Sequence, residues 1–234
     1  ENDIELFKAL LGDGSQIGMS IDYSVQHNPS GIAEAFIIGE NFIGTDSVCL
    51  ILGDNLFIGE GFPNSLRECC KLVDGGIIYG YKVADPRAFG VVEFNQDGLV
   101  QSIEEKPSIP KSNYAVTGLY FYDNNAPYYA KTLKKSLRGE LEITALNQIY
   151  LENKQLRAEI LGRTFIWKDM GTITDLSSAA SVVEDLQRYQ GYMVACIEEI
   201  AFNNNWIDGE ALMQRASHYK NTFYGEYLRN MNQL

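Results

Sequence analysis

The chain has 234 residues and a mass of 26.2 kDa, 45% hydrophobic and 21% charged, which suits one large domain or two small ones and an ordinary globular protein, not a disordered one. Its formal charge of −12 argues against a nucleic-acid partner, whose phosphates demand clustered Lys and Arg, but leaves a small anionic substrate open. Cys49, Cys69, Cys70 and Cys196 form no C-x-x-C pair, with only His27 and His218 to join them, which argues against structural zinc or a disulfide framework and for a reducing cytoplasm. No apolar run approaches the about 18 residues that span a bilayer, so no membrane partner is expected.

In chain order, residues 3–11 have the spacing of an amphipathic helix, with Ile4, Phe7 and Leu10 on one side, ended by Gly12-Asp13-Gly14. Residues 21–26 alternate, Ile21, Tyr23 and Val25 against Asp22, Ser24 and Gln26, and predict a strand. A loop, 27–31, and a helix, 32–42, lead to the apolar run 48–52, which ends at Gly53-Asp54-Asn55. So short a run predicts a strand buried on both faces, as in a parallel sheet, and completes a β-α-β succession.

A helix is predicted over 64–72 and a strand over 76–82. Strands 90–94 and 100–105 flank the turn Asn95-Gln96-Asp97-Gly98 as a hairpin, and 114–122 is a long strand rich in Val, Thr, Tyr and Phe. Helices 126–133 and 142–151 and short strands 156–161 and 165–167 follow. From 174 the chain turns helical, over 174–189, 208–217 and 223–231. Neither an internal repeat nor a long linker divides it. The sum is one α/β domain over 1–234: a Rossmann-like, mixed and mostly parallel sheet flanked by helices, with a hairpin insertion and a helical tail over 174–234.

Four stretches could carry chemistry. Asp54 stands at the C-terminal end of a strand, where such sheets bind ligands, beside a glycine that admits a close ligand; it would be a hard oxygen ligand for Mg²⁺. Asp169, in Trp167-Lys168-Asp169-Met170-Gly171-Thr172, is a second carboxylate just past a strand. Converging on one Mg²⁺, the two would suit a phosphoryl-type transfer, which needs charge neutralisation and no covalent nucleophile; otherwise they are two strand-end turns.

In Glu104-Glu105-Lys106-Pro107, alternation divides Glu105 and Lys106 between pocket and surface unless Pro107 bends the strand. A carboxylate for sugar hydroxyls beside an ammonium for phosphate would make a sugar-phosphate pocket; the alternative is a solvated charge run. Gln26 can present donor and acceptor to a pyrimidine edge, with room for a flat base at Gly31, or the segment is simply a loop. The histidines make no recognisable Ser-His-Asp triad, whereas carboxylates paired for glycoside hydrolysis stay open. Asp85-Pro86 and Asp97-Gly98 read as turns, and Tyr114, Tyr120 and Tyr122 as core and cross-strand pairs.

The stretches Leu11–Ser15, Gln26–Ala35, Leu52–Asn55, YAVTGLYFYD over 114–123, RGELEIT over 138–144, Trp167–Thr172 and Glu198–Phe202 together resemble the glucose-1-phosphate thymidylyltransferases, in their short bacterial type, of the sugar-nucleotidyltransferase family. The resemblance runs nearly end to end. It implies the nucleotide-diphospho-sugar transferase fold and a Mg²⁺-dependent reaction of dTTP with glucose 1-phosphate, giving dTDP-glucose and pyrophosphate. It implies Gln26 and Gly31 at the thymine, and Asp54 and Asp169 on the metal. Asn55, Gly90, Glu105, Lys106 and Val116 would take the sugar-phosphate side, with Lys106 joining the two aspartates in catalysis.

A homotetramer is implied too, with a dTDP-sugar effector near Gly59 and Glu199. The family begins with a strand and a glycine-rich loop that cradles the triphosphate, then a basic segment, so a few dozen residues are expected ahead of Glu1; without them the sheet would have an open seam and catalysis should fail. Glu34 and Met170 stand where Gln and Thr are expected. Two other readings compete: a UTP-using enzyme, since a pocket discriminates one methyl by only ~1–3 kcal/mol, and a non-catalytic sugar-nucleotide-binding protein.

Overall fold

The structure is a computed structural model and describes residues 3–231. Packing divides the described residues into two compact units, one of those up to 27 with those from 180 on, the other of 28–179.

The first unit opens with α1 (Ile4–Leu11) and a 3₁₀ turn, Ser15–Ile17. Residues 21–26 then keep the predicted alternation, Ile21, Tyr23 and Val25 half-buried against exposed Asp22, Ser24 and Gln26, yet they pair with no strand among the described residues. The segment is tied down instead by Ile21 N–H on the Asp13 carbonyl (2.8 Å) and Tyr23 O–H on the Gly12 carbonyl (2.6 Å). Alternation reports which side faces protein, and only a ladder makes a strand. The predicted strand 21–26, and the β-α-β succession that needed it, are therefore corrected.

In the second unit the predicted helix 32–42 is two short ones, α2 (Glu34–Ile38) and α3 (Glu40–Ile43), because Gly39 leaves helical geometry at φ −86° and ψ 7°. There follow β1 (Val48–Ile51), β2 (Asn55–Ile58), α4 (Phe62–Cys69), β3 (Gly76–Lys82), β4 (Gly90–Phe94), β5 (Val100–Glu105) and β6 (Tyr114–Tyr122). Then come α5 (Ala126–Thr132), α6 (Ile143–Glu152), β7 (Leu156–Leu161) and β8 (Ile166–Asp169). Helix α7 (Ile173–Gln190) carries the chain past residue 180.

Six strands make one sheet in the order β5-β4-β6-β3-β7, with β1 also on β6. The nine-residue β6 is its spine: β3 runs along it, while β4 and β1 pair with its first and last residues. The mixed α/β fold holds, but its parallel share was overestimated. Among the described residues only β3 with β7 is parallel; β1, β3 and β4 all run antiparallel to β6, and β4 to β5. Nor is β1 buried on both faces, since Cys49 and Ile51 are exposed and Val48 and Leu50 half-buried. A short aliphatic run encodes neither the direction of its partner nor the cover on its second face.

One face of the sheet packs Ile78, Tyr120 and Tyr122 against Phe36, Leu146 and Tyr150, and the other packs Tyr79, Leu119 and Phe121 against Cys69 of α4. Truncating a fully buried residue such as Leu146 costs about 2–5 kcal/mol, so the sheet is a stiff platform. Apart from it, β2 and β8 form a two-stranded ribbon in which Asn55 stands opposite Asp169.

The first unit ends with α8 (Ile197–Asn203), α9 (Gly209–His218) and α10 (Phe223–Met231) around Cys196, Leu212, Ala216 and Leu228. Of these, α8 was not anticipated. Asp208 caps α9, its carboxylate accepting from the Ala211 N–H at 2.9 Å. Among the described residues no helix is long and apolar enough to cross a membrane.

Candidate active site

Six of the predicted residues, Asn55, Gly90, Glu105, Lys106, Val116 and Asp169, line one cavity of about 130 Å³ in the second unit. The ribbon brings Asp169 to it and Asp54 beside Asp169. Asp169 closes β8 opposite Asn55, and the Met170 N–H donates to the Asp54 carbonyl at 2.8 Å, which fixes Asp54 beside the end of that pair. Partial burial raises the Asp169 carboxyl above its ordinary value, and the Asp54 charge raises it further; the Gly171 N–H and Lys106 offset only part of this.

Among the described residues no three His, Cys, Asp or Glu form a cage for a metal. The donor set is this pair: two hard carboxylates that repel one another, a charge pattern that a divalent cation relieves. The pair fits a hard ion that takes its other ligands from water and phosphate, the usual coordination of Mg²⁺.

Asn55 joins the carboxylates to the sheet. Its amide oxygen accepts from the Gly118 N–H (2.9 Å) and the Trp167 indole N–H (2.7 Å), and its NH₂ donates to Asp54 Oδ1 (2.8 Å).

The opposite wall is built from β5 and α6. Glu105 accepts from Thr144 Oγ1 at 2.5 Å and from Arg138 Nη2 at 3.3 Å, while Arg138 also grips Glu142 at 2.9 Å. Lys106 leaves β5 in the left-handed region, φ 44°, with its N–H on the Phe89 carbonyl at 3.0 Å. That turn ends the alternation, and so Glu105 and Lys106 both line the cavity instead of dividing between pocket and surface. At Gly90 a Cβ would lie 3.0 Å from Thr144 Oγ1 and 3.7 Å from Val116, so any side chain there would crowd into the wall.

Of the other three predicted residues, Asp54 stands beside Asp169 without lining the cavity, and two lie elsewhere. Gly31 does not line this cavity; it sits at φ 104°, where a Cβ would come within 2.4 Å of the Leu141 carbonyl oxygen, so close backbone packing against residues 138–144 already demands glycine there. Gln26 belongs to the first unit. Of the two residues implied for an effector, Gly59 leaves room for the Phe165 ring, 2.3 Å from where its Cβ would be, and Glu199 accepts from the Tyr227 O–H (2.7 Å) at a cavity of about 560 Å³. Reasoning from sequence passed over Arg138, Thr144, Gly118 and Trp167. The motifs that hold them were visible, but their roles depend on contacts between residues far apart in the chain.

A model of the nucleotidyl transferase family matches residues 1–185. The chain belongs to that family. Among its relatives, a glucose-1-phosphate thymidylyltransferase of Neisseria meningitidis serogroup A is 53% identical over 222 residues, 95% of this chain and 77% of the relative. Another, from Mycobacterium tuberculosis strain H37Rv, is 50% identical over 227 residues, 97% and 78%. A Bacillus anthracis crystal structure described as a glucose-1-phosphate thymidylyltransferase in complex with a sucrose superposes with a TM-score of 0.69 at 39% identity, covering 77% of this chain and 72% of that one. UDP-glucose pyrophosphorylase complexed with UDP-glucose, at 23% identity and TM-score 0.58, shares the fold. The resemblance read from the motifs is thus borne out. As a nucleotidyltransferase the chain is an enzyme, and its cavity is the natural place to look for the chemistry.

Proposed function

We propose that this nucleotidyltransferase moves a thymidylyl group from dTTP to α-D-glucose 1-phosphate, giving dTDP-glucose and pyrophosphate. The observation that carries the reading is the gathering of a carboxylate pair, a carboxylate-lysine pair and a cavity within one unit of a chain whose relatives at half identity are thymidylyltransferases. A phosphate oxygen of the sugar phosphate attacks the α-phosphorus of dTTP, and pyrophosphate leaves with the electron pair of the broken P–O bond.

Glu105 is held by Thr144 and Arg138 in one orientation from which its carboxylate can accept sugar hydroxyls. Lys106 neutralises charge on the sugar phosphate and orients the attacking oxygen. Asn55, Gly90 and Val116 shape the sugar side. Asp54 and Asp169 hold a divalent cation, Mg²⁺ in this reading, which when bound neutralises the phosphate charge that builds up during transfer. The same family likeness argues for a cytoplasmic homotetramer that answers to a dTDP-sugar effector.

The test is Mg²⁺-dependent pyrophosphate release with glucose 1-phosphate, comparing dTTP and UTP on one preparation of the protein. Faster release with dTTP is expected. Faster release with UTP would move the assignment to a uridylyltransferase, and no release with either nucleotide would leave a sugar-nucleotide-binding protein.

A further inference from the structure

Three hydrogen bonds on the side-chain amide of Asn55 select one of its two orientations. Its oxygen accepts from the Trp167 indole N–H at 2.7 Å and from the Gly118 backbone N–H at 2.9 Å. Both are donors only, so the oxygen must face them and the NH₂ must point away. It points to Asp54 Oδ1, 2.8 Å off.

The indole is itself fixed. Trp167 is 8% exposed, opposite Phe57 in the ribbon, with ring centroids 5.8 Å from Tyr81 and 5.1 Å from Phe89. Gly118 completes the lock by lacking a side chain, since a Cβ there would lie 2.6 Å from Asn55 Cγ.

We infer that Trp167 and Gly118 are positioning residues which, through the Asn55 amide, hold the Asp54 carboxylate in place to meet the cation. The inference rests on the reading of Asp54 and Asp169 as the cation-holding pair. Asp54 is exposed on a turn, and the neighbouring Asp169 charge drives it outward. A donor fixed on one of its oxygens opposes that swing and leaves the other lone pairs for a metal. Groups that orient metal ligands in this way carry about 10–100-fold of metal affinity.

The experiment measures Mn²⁺ binding to the full chain without nucleotide or sugar, from the electron paramagnetic resonance signal of the free ion, with thermal unfolding as the control for folding. Trp167→Phe keeps an aromatic ring and removes the donor, and should weaken binding about tenfold, the low end of that range. Asn55→Ala should weaken it at least as much, and the double variant no further, because one path passes through one amide.

Unchanged Mn²⁺ affinity in Trp167→Phe, or losses that multiply in the double variant, would overturn the relay; loss of binding in Asp54→Asn would then show that the carboxylate pair still stands. Undiminished binding in Asp54→Asn, or none by the unsubstituted chain, would overturn the pair and the relay together. If Trp167→Phe unfolds, Gly118→Ala presses on the same amide from β6 and decides the matter by the same outcomes.

Discussion

Two carboxylates, the buried Glu198 in the first unit and the half-buried Asp169 in the second, show how different surroundings sort charge into structure and function. Burial pushes both upward. At Glu198, fully buried, the Tyr224 O–H, the Arg215 guanidinium and the Tyr219 O–H outweigh it and hold the carboxyl below its ordinary 4.5. At Asp169 the next neighbour is Asp54, another carboxylate, and the carboxyl stays above its ordinary value. A carboxylate with both oxygens met by donors is part of the scaffold. One left facing its own sign has the charge pattern that the proposed cation would relieve.

The comparison is broken most forcefully by neutralising each side. Asp54→Asn and Asp169→Asn should each lower turnover by at least about a thousandfold, some 4 kcal/mol of transition-state stabilisation, while leaving the urea midpoint unchanged or slightly raised because a repulsion is removed. Pyrophosphate release and equilibrium unfolding on the same variants check both halves. Turnover that survives either substitution would return that aspartate to the status of a strand-end turn.

Arg215→Met should do the opposite. It strands the Glu198 charge in the interior among tyrosines, and removing one partner of a buried pair typically costs about 3–5 kcal/mol. Urea unfolding should show that loss. A change of less than about 1 kcal/mol would mean that the tyrosines alone satisfy Glu198 and that the pair adds little.

The same pair of residues shows what was legible beforehand. Asp169 could be picked out because it ends a short strand beside a Gly-Thr turn, and the likeness to a known family pointed to the same residue. Glu198 could not, because its partners stand 17, 21 and 26 positions further along, on or beside other helices. The fold divides similarly. The strands β3 to β7 fall on their predicted bounds because each has five or more residues and clear turns.

The misread elements are those whose identity depends on a partner. Residues 21–26 alternate without pairing, β1 is aliphatic with one face uncovered, and β2, four residues just past a turn, becomes a strand only through β8. At the site, the residue types were legible and their gathering was not. Glu105 and Lys106 share the cavity because of a left-handed backbone at Lys106, which no periodicity announces.

Gly31 sharpens the distinction between scaffold and site at a smaller scale. The resemblance assigns it to the thymine, yet its φ of 104° and the Leu141 carbonyl already forbid a side chain. Gly31→Ala should therefore destabilise the chain by about 1–3 kcal/mol without any nucleotide present. Normal stability with a raised KM for dTTP would instead make the glycine a feature of the base pocket alone.

The smallest effect is on pH, and its sign is fixed by the Glu198 contacts. Because the folded carboxyl sits below its unfolded value of 4.5, the folded state binds that proton less tightly than the unfolded state does. The stabilisation from Glu198 is thus complete above the unfolded value and is lost as pH falls through the folded one. The difference in urea midpoint between the unsubstituted chain and Glu198→Gln, which carries no titrating carboxyl there, should hold steady near neutrality and shrink below about pH 4.5. A difference that stayed constant into that acid range would show that the helices hold Glu198 through packing and hydrogen-bond geometry, with its charge contributing little.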